Sequence, residues 1–256
     1  MTDTPPPDQT SIAWEPGEVD IERSHLRRLM ARMRVPNLDA LWTRAAADPE
    51  GYWRAALADL DLVWERPFDR VWNLDRGKAW PQWFPGARFN HVASALDRHA
   101  AGPRRDATAV IWEADDETAR TLTFGDLDTL TNRFANALAA MGVGKGDRVG
   151  IFLPMLPETV AVTLACGKLG AVYVPLFSGY GEEAIVSRLA DCDATVLVTV
   201  DGFERRGKRV PMKEIADRAM ERLAGVRHCL VVQRLDGACA MTARRDVWWH
   251  EAQAAA

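Results

Sequence analysis

Apolar residues recur at helical spacing from Asp20 to about Arg34, at Ile21, Leu26, Leu29, Met30 and Met33, and again from Asn37 to Leu60, at Leu38, Leu41, Trp42, Trp53 and Leu57. Both stretches predict short amphipathic helices. Between Glu65 and Gly86 the period is lost, because Pro67, Gly77, Pro81, Pro85 and Gly86 interrupt a run that contains Trp72, Trp80 and Trp83. That segment is expected to be irregular and laid over a domain. Residues 1–11 are too polar to bury anything and are expected to form a disordered tail, which leaves 12–89 as a helical and irregular N-terminal arm.

At Asn90 the rhythm changes to short apolar strands alternating with helices. Asn90 can cap a helix to about His99. ATAVIWEA and RTLTF read as strands around the polar turn Asp115 to Thr118, and Thr123, with Asp126 three residues on, starts a long helix with Leu127, Leu130, Phe134, Ala137, Leu138 and Met141 on one face. GVGKGDRVGIFLP is a helix stop followed by a strand, and ETVAVTLACGKLG is a nearly all-apolar helix, hence buried. Strand AVYVPLF, turn SGYG, helix EEAIVSRLADC, strand ATVLVTV, loop DGFERRGKR, helix PMKEIADRAMERLA and strand HCLVVQ complete the series. The pattern predicts an α/β fold over 90–251, with a mostly parallel sheet covered on both faces.

Composition narrows the classes. Hydrophobic residues make up 48% and charged residues 27% of the 256, ordinary globular values that exclude a disordered or disulfide-scaffold chain. Thirty-two Lys plus Arg against thirty-six Asp plus Glu give a net charge of −4, with no basic excess for gripping nucleic acid. No run of eighteen apolar residues exists, and the N-terminus has no leader pattern, so no membrane span and a cytoplasmic location are expected. Cys166, Cys192, Cys229 and Cys239 show no zinc-knuckle spacing and are expected to be buried free thiols.

Two near-matches to phosphate-binding motifs lie in the α/β region. Gly179-x-Gly181-x-x-Ala184 follows a strand and opens a helix, and Asp201 at the end of the next strand stands where a ribose-binding acid would sit, so a Rossmann-type dinucleotide domain is one reading. Gly202 to Lys208 matches GxxxxGK, but Arg209 replaces the hydroxyl residue that holds magnesium. The density of cations in that loop, Arg205, Arg206, Lys208 and Arg209 at the carboxyl end of a predicted parallel strand, suits a phosphate guest or else a solvated basic turn. His250-Glu251 begins a zincin-like pattern whose second imidazole position holds Ala254, so no metal pair is expected.

WFPGARFNHVASALDRHA, residues 83 to 100, resembles the acetyl-coenzyme A synthetase type of the acyl-adenylate-forming (AMP-dependent synthetase/ligase) enzymes. The likeness continues in order through VIWEADDETARTLTF, NRFANALAAMGVGKGDRVGIFLP, AVYVPLFSGYGEEAIVSRL, RGKRVPMKE and DVWWHE. It implies a ligase that activates acetate, a fatty acid or a related carboxylic acid with ATP and magnesium to an acyl-adenylate, and then passes the acyl group to coenzyme A. The family's basic loop for the adenosine 3′-phosphate of coenzyme A falls on Arg205, Arg206, Gly207 and Lys208, with Lys208 in place of an Arg. Its Gly-Gly turn falls on Ser178 and Gly179, Ser178 being the departure.

In the family, the phosphate loop, the adenine and ribose motifs and the C-terminal domain with the adenylation lysine follow DVWWHE. The resemblance therefore implies an N-terminal fragment, with 252–256 as a truncated end, part of a coenzyme A site, no catalytic or metal residue, and no ligase turnover by these 256 residues alone. ATP and magnesium would act only in the complete enzyme. A noncatalytic subunit docking with a complementary C-terminal chain is the alternative from another class.

Overall fold

The computed structural model describes residues 12, 14–115, 117–235 and 237–255; the tail expected over 1–11 lies outside them. The chain divides into two compact units, between Phe89 and Asn90.

The first unit begins with four helices, α1 (Glu18–Arg23), α2 (His25–Met33), α3 (Leu38–Ala47) and α4 (Pro49–Leu60). Each break has a local cause: the side chains of Ser24, Asn37 and Asp48 accept the N–H of Arg27, Ala40 and Gly51, and Pro49 opens α4 where its missing N–H costs nothing. Leu29, Met30 and Leu41 form a small core against which Met33, Val35, Tyr52, Ala55 and Ala56 pack. Beyond α4 the regular pieces are short: β1 (Trp64–Arg66) pairs antiparallel with a later strand, and β2 (Trp72–Asn73) pairs with β3 (Gln82–Trp83). The partner of β1 is β4 (Arg88–Phe89), and edge-to-face or tilted contacts link Trp64, Phe68, Phe84 and Phe89. Aromatic packing substitutes here for a sheet.

An ion cluster ties α2 to α4. Asp59 Oδ2 lies 2.7 Å from His25 Nδ1, and Arg28 Nε donates to Asp59 Oδ1 at 3.0 Å. Those hydrogen bonds, His25's first and Arg28's next, hold the Asp59 carboxyl below its ordinary value of 3.8. A carboxyl depressed in the folded state adds stability above its unfolded value and loses it as the pH falls through the folded one. Asp59→Asn is therefore expected to lower stability by less than about 1 kcal/mol near neutral pH. That difference from the parent is expected to shrink as the pH falls below 3.8 and to vanish once the folded carboxylate is protonated, as urea titrations at neutral and acid pH would show.

The second unit opens with a helical turn in which Ala93–Asp97 is a π segment, continued by α5 (Arg98–Ala100). Asn90 starts it as anticipated, Oδ1 accepting the Val92 N–H and Nδ2 donating to Gly167 O, but the π segment interrupts the plain helix expected up to His99. β5 (Thr108–Glu113) and β6 (Ala119–Thr123) form an antiparallel hairpin, and α6 (Phe124–Ala140) starts from the Thr123–Asp126 capping box.

Then follow β7 (Arg148–Phe152), α7 (Pro157–Leu169), β8 (Val172–Leu176), α8 (Glu182–Asp191), β9 (Val196–Val200), β10 (Phe203–Arg205), β11 (Lys208–Val210), α9 (Met212–Glu221), β12 (His228–Val232), β13 (Asp246–Trp248) and α10 (Trp249–Ala255). Five of the strands form one wholly parallel sheet in the order β13-β12-β9-β7-β8. All five residues of β9 are buried, as a strand covered on both faces requires. No residue of α7 is exposed. A side-chain carbon at Gly150 would meet Leu189 Cδ2 at 2.7 Å, so α8 approaches β7 only because that position is glycine.

Three expectations need correcting. β8 is an edge strand with Val172, Tyr173 and Pro175 exposed, so the sheet is not covered throughout; the edge also explains how a parallel strand tolerates Pro175. The loop after β9 is a β-hairpin. Of the four free cysteines only Cys166 and Cys229 are buried; Cys192, just past α8, and Cys239, on the segment between β12 and β13, are half-buried. Among the described residues, no helix is long and apolar enough to cross a membrane.

Candidate functional site

The hairpin is built from its turn. Arg206 and Gly207 have φ of 51° and 71°, the left-handed pair that a tight two-residue turn needs, and this lets Phe203, Glu204 and Arg205 pair antiparallel with Val210, Arg209 and Lys208. Arg205, Arg206, Gly207, Lys208 and Arg209 are all exposed, and none of the four cations is in an ion pair among the described residues. The hairpin springs from the carboxyl end of β9, which is central in the parallel sheet. Ligands of open α/β sheets bind at that edge.

A cleft of about 290 Å³ lies there. Every wall comes from a different strand end: Trp112 to Asp115 from the β5 hairpin, Pro154 to Leu156 after β7, Phe177 and Ser178 after β8, Phe203 to Arg205 from β10, and Arg234 after β12. Phe177 and Met155 are largely exposed, at 61% and 80%, and offer apolar surface beside the cations. The structure thus brings Arg205 and Ser178 into one cleft. It leaves Arg206, Gly207 and Lys208 on the exposed tip, where the Arg206 N–H lies 3.5 Å from Asp115 Oδ2. Gly179 stands exposed, packed so closely on Phe177 that an added side-chain carbon would meet the ring at 2.7 Å.

The two near-matches lose their readings as a dinucleotide fingerprint and as a nucleoside-triphosphate cradle. Gly179-x-Gly181 follows the edge strand, whereas a dinucleotide fingerprint belongs in the crevice where the strand order reverses. Asp201 is turned inward and buried: its carboxylate accepts the N–H groups of Gly202 at 2.8 Å, Arg234 at 2.9 Å and Leu235 at 3.0 Å, so it is committed to the backbone and not presented to a ribose. Gly202 begins a hairpin instead of a phosphate cradle, with Val210 O 2.7 Å from where a side-chain carbon would sit.

Two features escaped the sequence reading. Arg234 and Trp112 form a cation–π pair, with the guanidinium carbon 5.0 Å from the ring centre. Lys213, whose side chain is 2% exposed, bridges Asp217 and Asp246 at 2.7 and 2.8 Å, and Arg245 pairs with the same two carboxylates. The spacing of Lys213 and Asp217, four apart on α9, was the available signal for the second. For the first, the chain holds no local signal, because residues 112 and 234 meet only in the fold.

Comparison with known proteins gives the chain a family and a fold. The family model described as AMP-binding enzyme matches residues 96–255, and that described as acetyl-coenzyme A synthetase N-terminus matches residues 38–95. An acetyl-coenzyme A synthetase of Gemmatimonas aurantiaca is 40% identical over 220 residues, covering 83% of this chain and 33% of that protein. One of Methanothrix soehngenii is 40% identical over 248 residues, covering 95% and 36%. The chain therefore spans about a third of the length of the curated relatives it matches. Among solved structures, acetoacetyl-CoA synthetase from Streptomyces lividans superimposes with a TM-score of 0.85 at 24% identity, over 94% of this chain and 38% of that one, which fixes the fold.

Proposed function

The chain belongs to the AMP-binding enzyme family, and from that premise we propose that these residues are the N-terminal part of an acyl-coenzyme A synthetase and hold the adenosine 3′-phosphate end of coenzyme A. One observation carries the reading: Arg205 and Ser178, from the two segments that the family likeness assigns to coenzyme A, line a single cleft at the carboxyl ends of the parallel strands. Unpaired guanidinium groups suit a phosphate guest by their fixed fork of donors, and Lys208 adds a point charge to the same turn. No residue of the described chain is assigned to ATP or magnesium. The ligation that the reading implies, adenylation of a carboxylic acid followed by thioester formation, is a proposal for the protein of which this region is part.

Calorimetric titration of the 256-residue chain with coenzyme A tests the site. Arg205→Ala and Lys208→Ala are each expected to weaken binding by about 1.5 to 3 kcal/mol, the worth of one charge-assisted contact. Unchanged affinity in both variants would return the hairpin to a solvated basic turn.

A further inference from the structure

One cation of the cleft is left over by that reading. Arg234 lines the cleft together with Arg205, and also an adjoining hollow of about 310 Å³ walled by Trp112, Arg120, Leu156 and Glu158. Arg120 is neutralised by Glu158 at 2.8 Å, whereas Arg234 makes no ion pair among the described residues. It is half-buried and lies over the Trp112 ring, which is itself fixed by donating Nε1–H to Met155 O at 2.7 Å. A guanidinium that is partly desolvated, stacked and without a carboxylate is prepared for an anion from outside.

Its placement is controlled from below. The buried Asp201 carboxylate receives N–H groups from Gly202, at the root of the hairpin, and from Arg234 and Leu235, on the turn after β12. The same residue's carbonyl accepts the Lys213 N–H at 3.3 Å at the start of α9. Hairpin and turn are thereby registered on one side chain, and the exposed Arg205 and the half-buried Arg234 keep a fixed relation across the cleft. Glu113, Asp115 and Glu204 share its walls, so an anion set elsewhere in it meets repulsion. A ligand with two separate anionic groups, one for each guanidinium, suits this charge pattern.

Coenzyme A carries phosphate in two separate places, on the 3′-hydroxyl and as a 5′-diphosphate. We propose that Arg234 binds the 5′-diphosphate of the same nucleotide whose 3′-phosphate goes to the hairpin, and that Asp201 is the positioning residue that sets the two jaws. The inference rests on the coenzyme A reading above. The outer cation serves the group that stays at the rim, and the inner one serves the group from which the pantetheine arm departs.

The test compares Arg234→Gln, Arg234→Lys and Arg205→Ala in the 256-residue chain, titrated with coenzyme A, dephospho-coenzyme A and adenosine 3′-monophosphate, with thermal melts to confirm folding. Arg234→Gln is expected to raise Kd for coenzyme A and for dephospho-coenzyme A alike by about 10- to 100-fold. It should change Kd for adenosine 3′-monophosphate, which has no 5′-phosphate, by less than about 2-fold. Arg234→Lys should recover part of the loss, since it keeps the charge and gives up the fork and the stacking. If Arg234→Gln binds coenzyme A like the parent while Arg205→Ala does not, the inner jaw is wrong and the coenzyme A reading stands. Equal losses on all three ligands would also overturn the inference, by showing a general loosening of the cleft. A parent chain that binds no coenzyme A would remove both.

Discussion

Replacing Lys213 by Met is expected to cost about 3 to 5 kcal/mol of folding free energy, the penalty for breaking a buried ion network by removing one partner. The Lys213 ammonium reaches Asp217 on its own helix, Asp246 at the start of β13 and the carbonyl of Ala240 at 3.0 Å. Asp246, whose side chain is 0% exposed, keeps Arg245 as a partner but loses half of its countercharge. The network joins α9 to the edge strand β13, so its loss frees that strand from the sheet's outer side, and urea unfolding followed by circular dichroism would read the cost directly.

The pH dependence of the same cluster has two arms. Burial alone would raise the Asp246 carboxyl, but its hydrogen bonds from Arg245 and Lys213 outweigh that and hold it below 3.8; its contribution is present above that value and is lost as acid protonates the folded form. Burial alone would lower the Lys213 ammonium, yet its bonds to Asp217 and Asp246 hold it above 10.5. That contribution is full below the unfolded value and disappears as the pH rises through the folded one. In the Met variant the alkaline arm should be gone. A parent and variant that lose stability in parallel above about pH 10 would show that Lys213 does not supply it.

What the amino-acid order discloses here follows from how local each cause is. The Thr123–Asp126 box, the β5–β6 hairpin and the buried run of α7 are written in neighbouring residues, and each forms as anticipated. Ser24, and Asp48 followed by Pro49, are equally local cap signals, yet they are overridden by apolar periods that run straight through them, so four helices read as two. The basic segment after β9 reads as a loop because charges mask its strand pairing, although Arg206-Gly207 supplies the turn. That β8 lies at an edge cannot be seen in AVYVPLF, because strand order depends on crossovers and not on any strand's composition. The same holds for the candidate site. Its hairpin cations are visible as a cluster, whereas Trp112, Arg234 and Asp201 gain meaning only when β5, β9 and β12 end side by side.

Trp249→Ala is expected to destabilise the second unit by about 3 to 5 kcal/mol, the range for deleting a buried aromatic side chain and leaving its cavity. Trp249 opens α10, is almost wholly buried, and stacks on Phe134 of α6 with ring centres 3.5 Å apart and planes 1° from parallel. α10 spans only Trp249–Ala255, and a helix that short is not stable by itself, so its order comes from this docking. Trp249→Phe keeps a ring on Phe134 and should cost about 1 to 3 kcal/mol less than the alanine change. Phe134→Ala should cost about as much as Trp249→Ala, and the double variant should fall well short of the sum, because each single change already empties the shared stack. Ten tryptophans make fluorescence a poor reporter of one, so urea titration read by circular dichroism is the better measurement. A Trp249→Ala variant as stable as the parent would mean that α10 is held by something other than this pair.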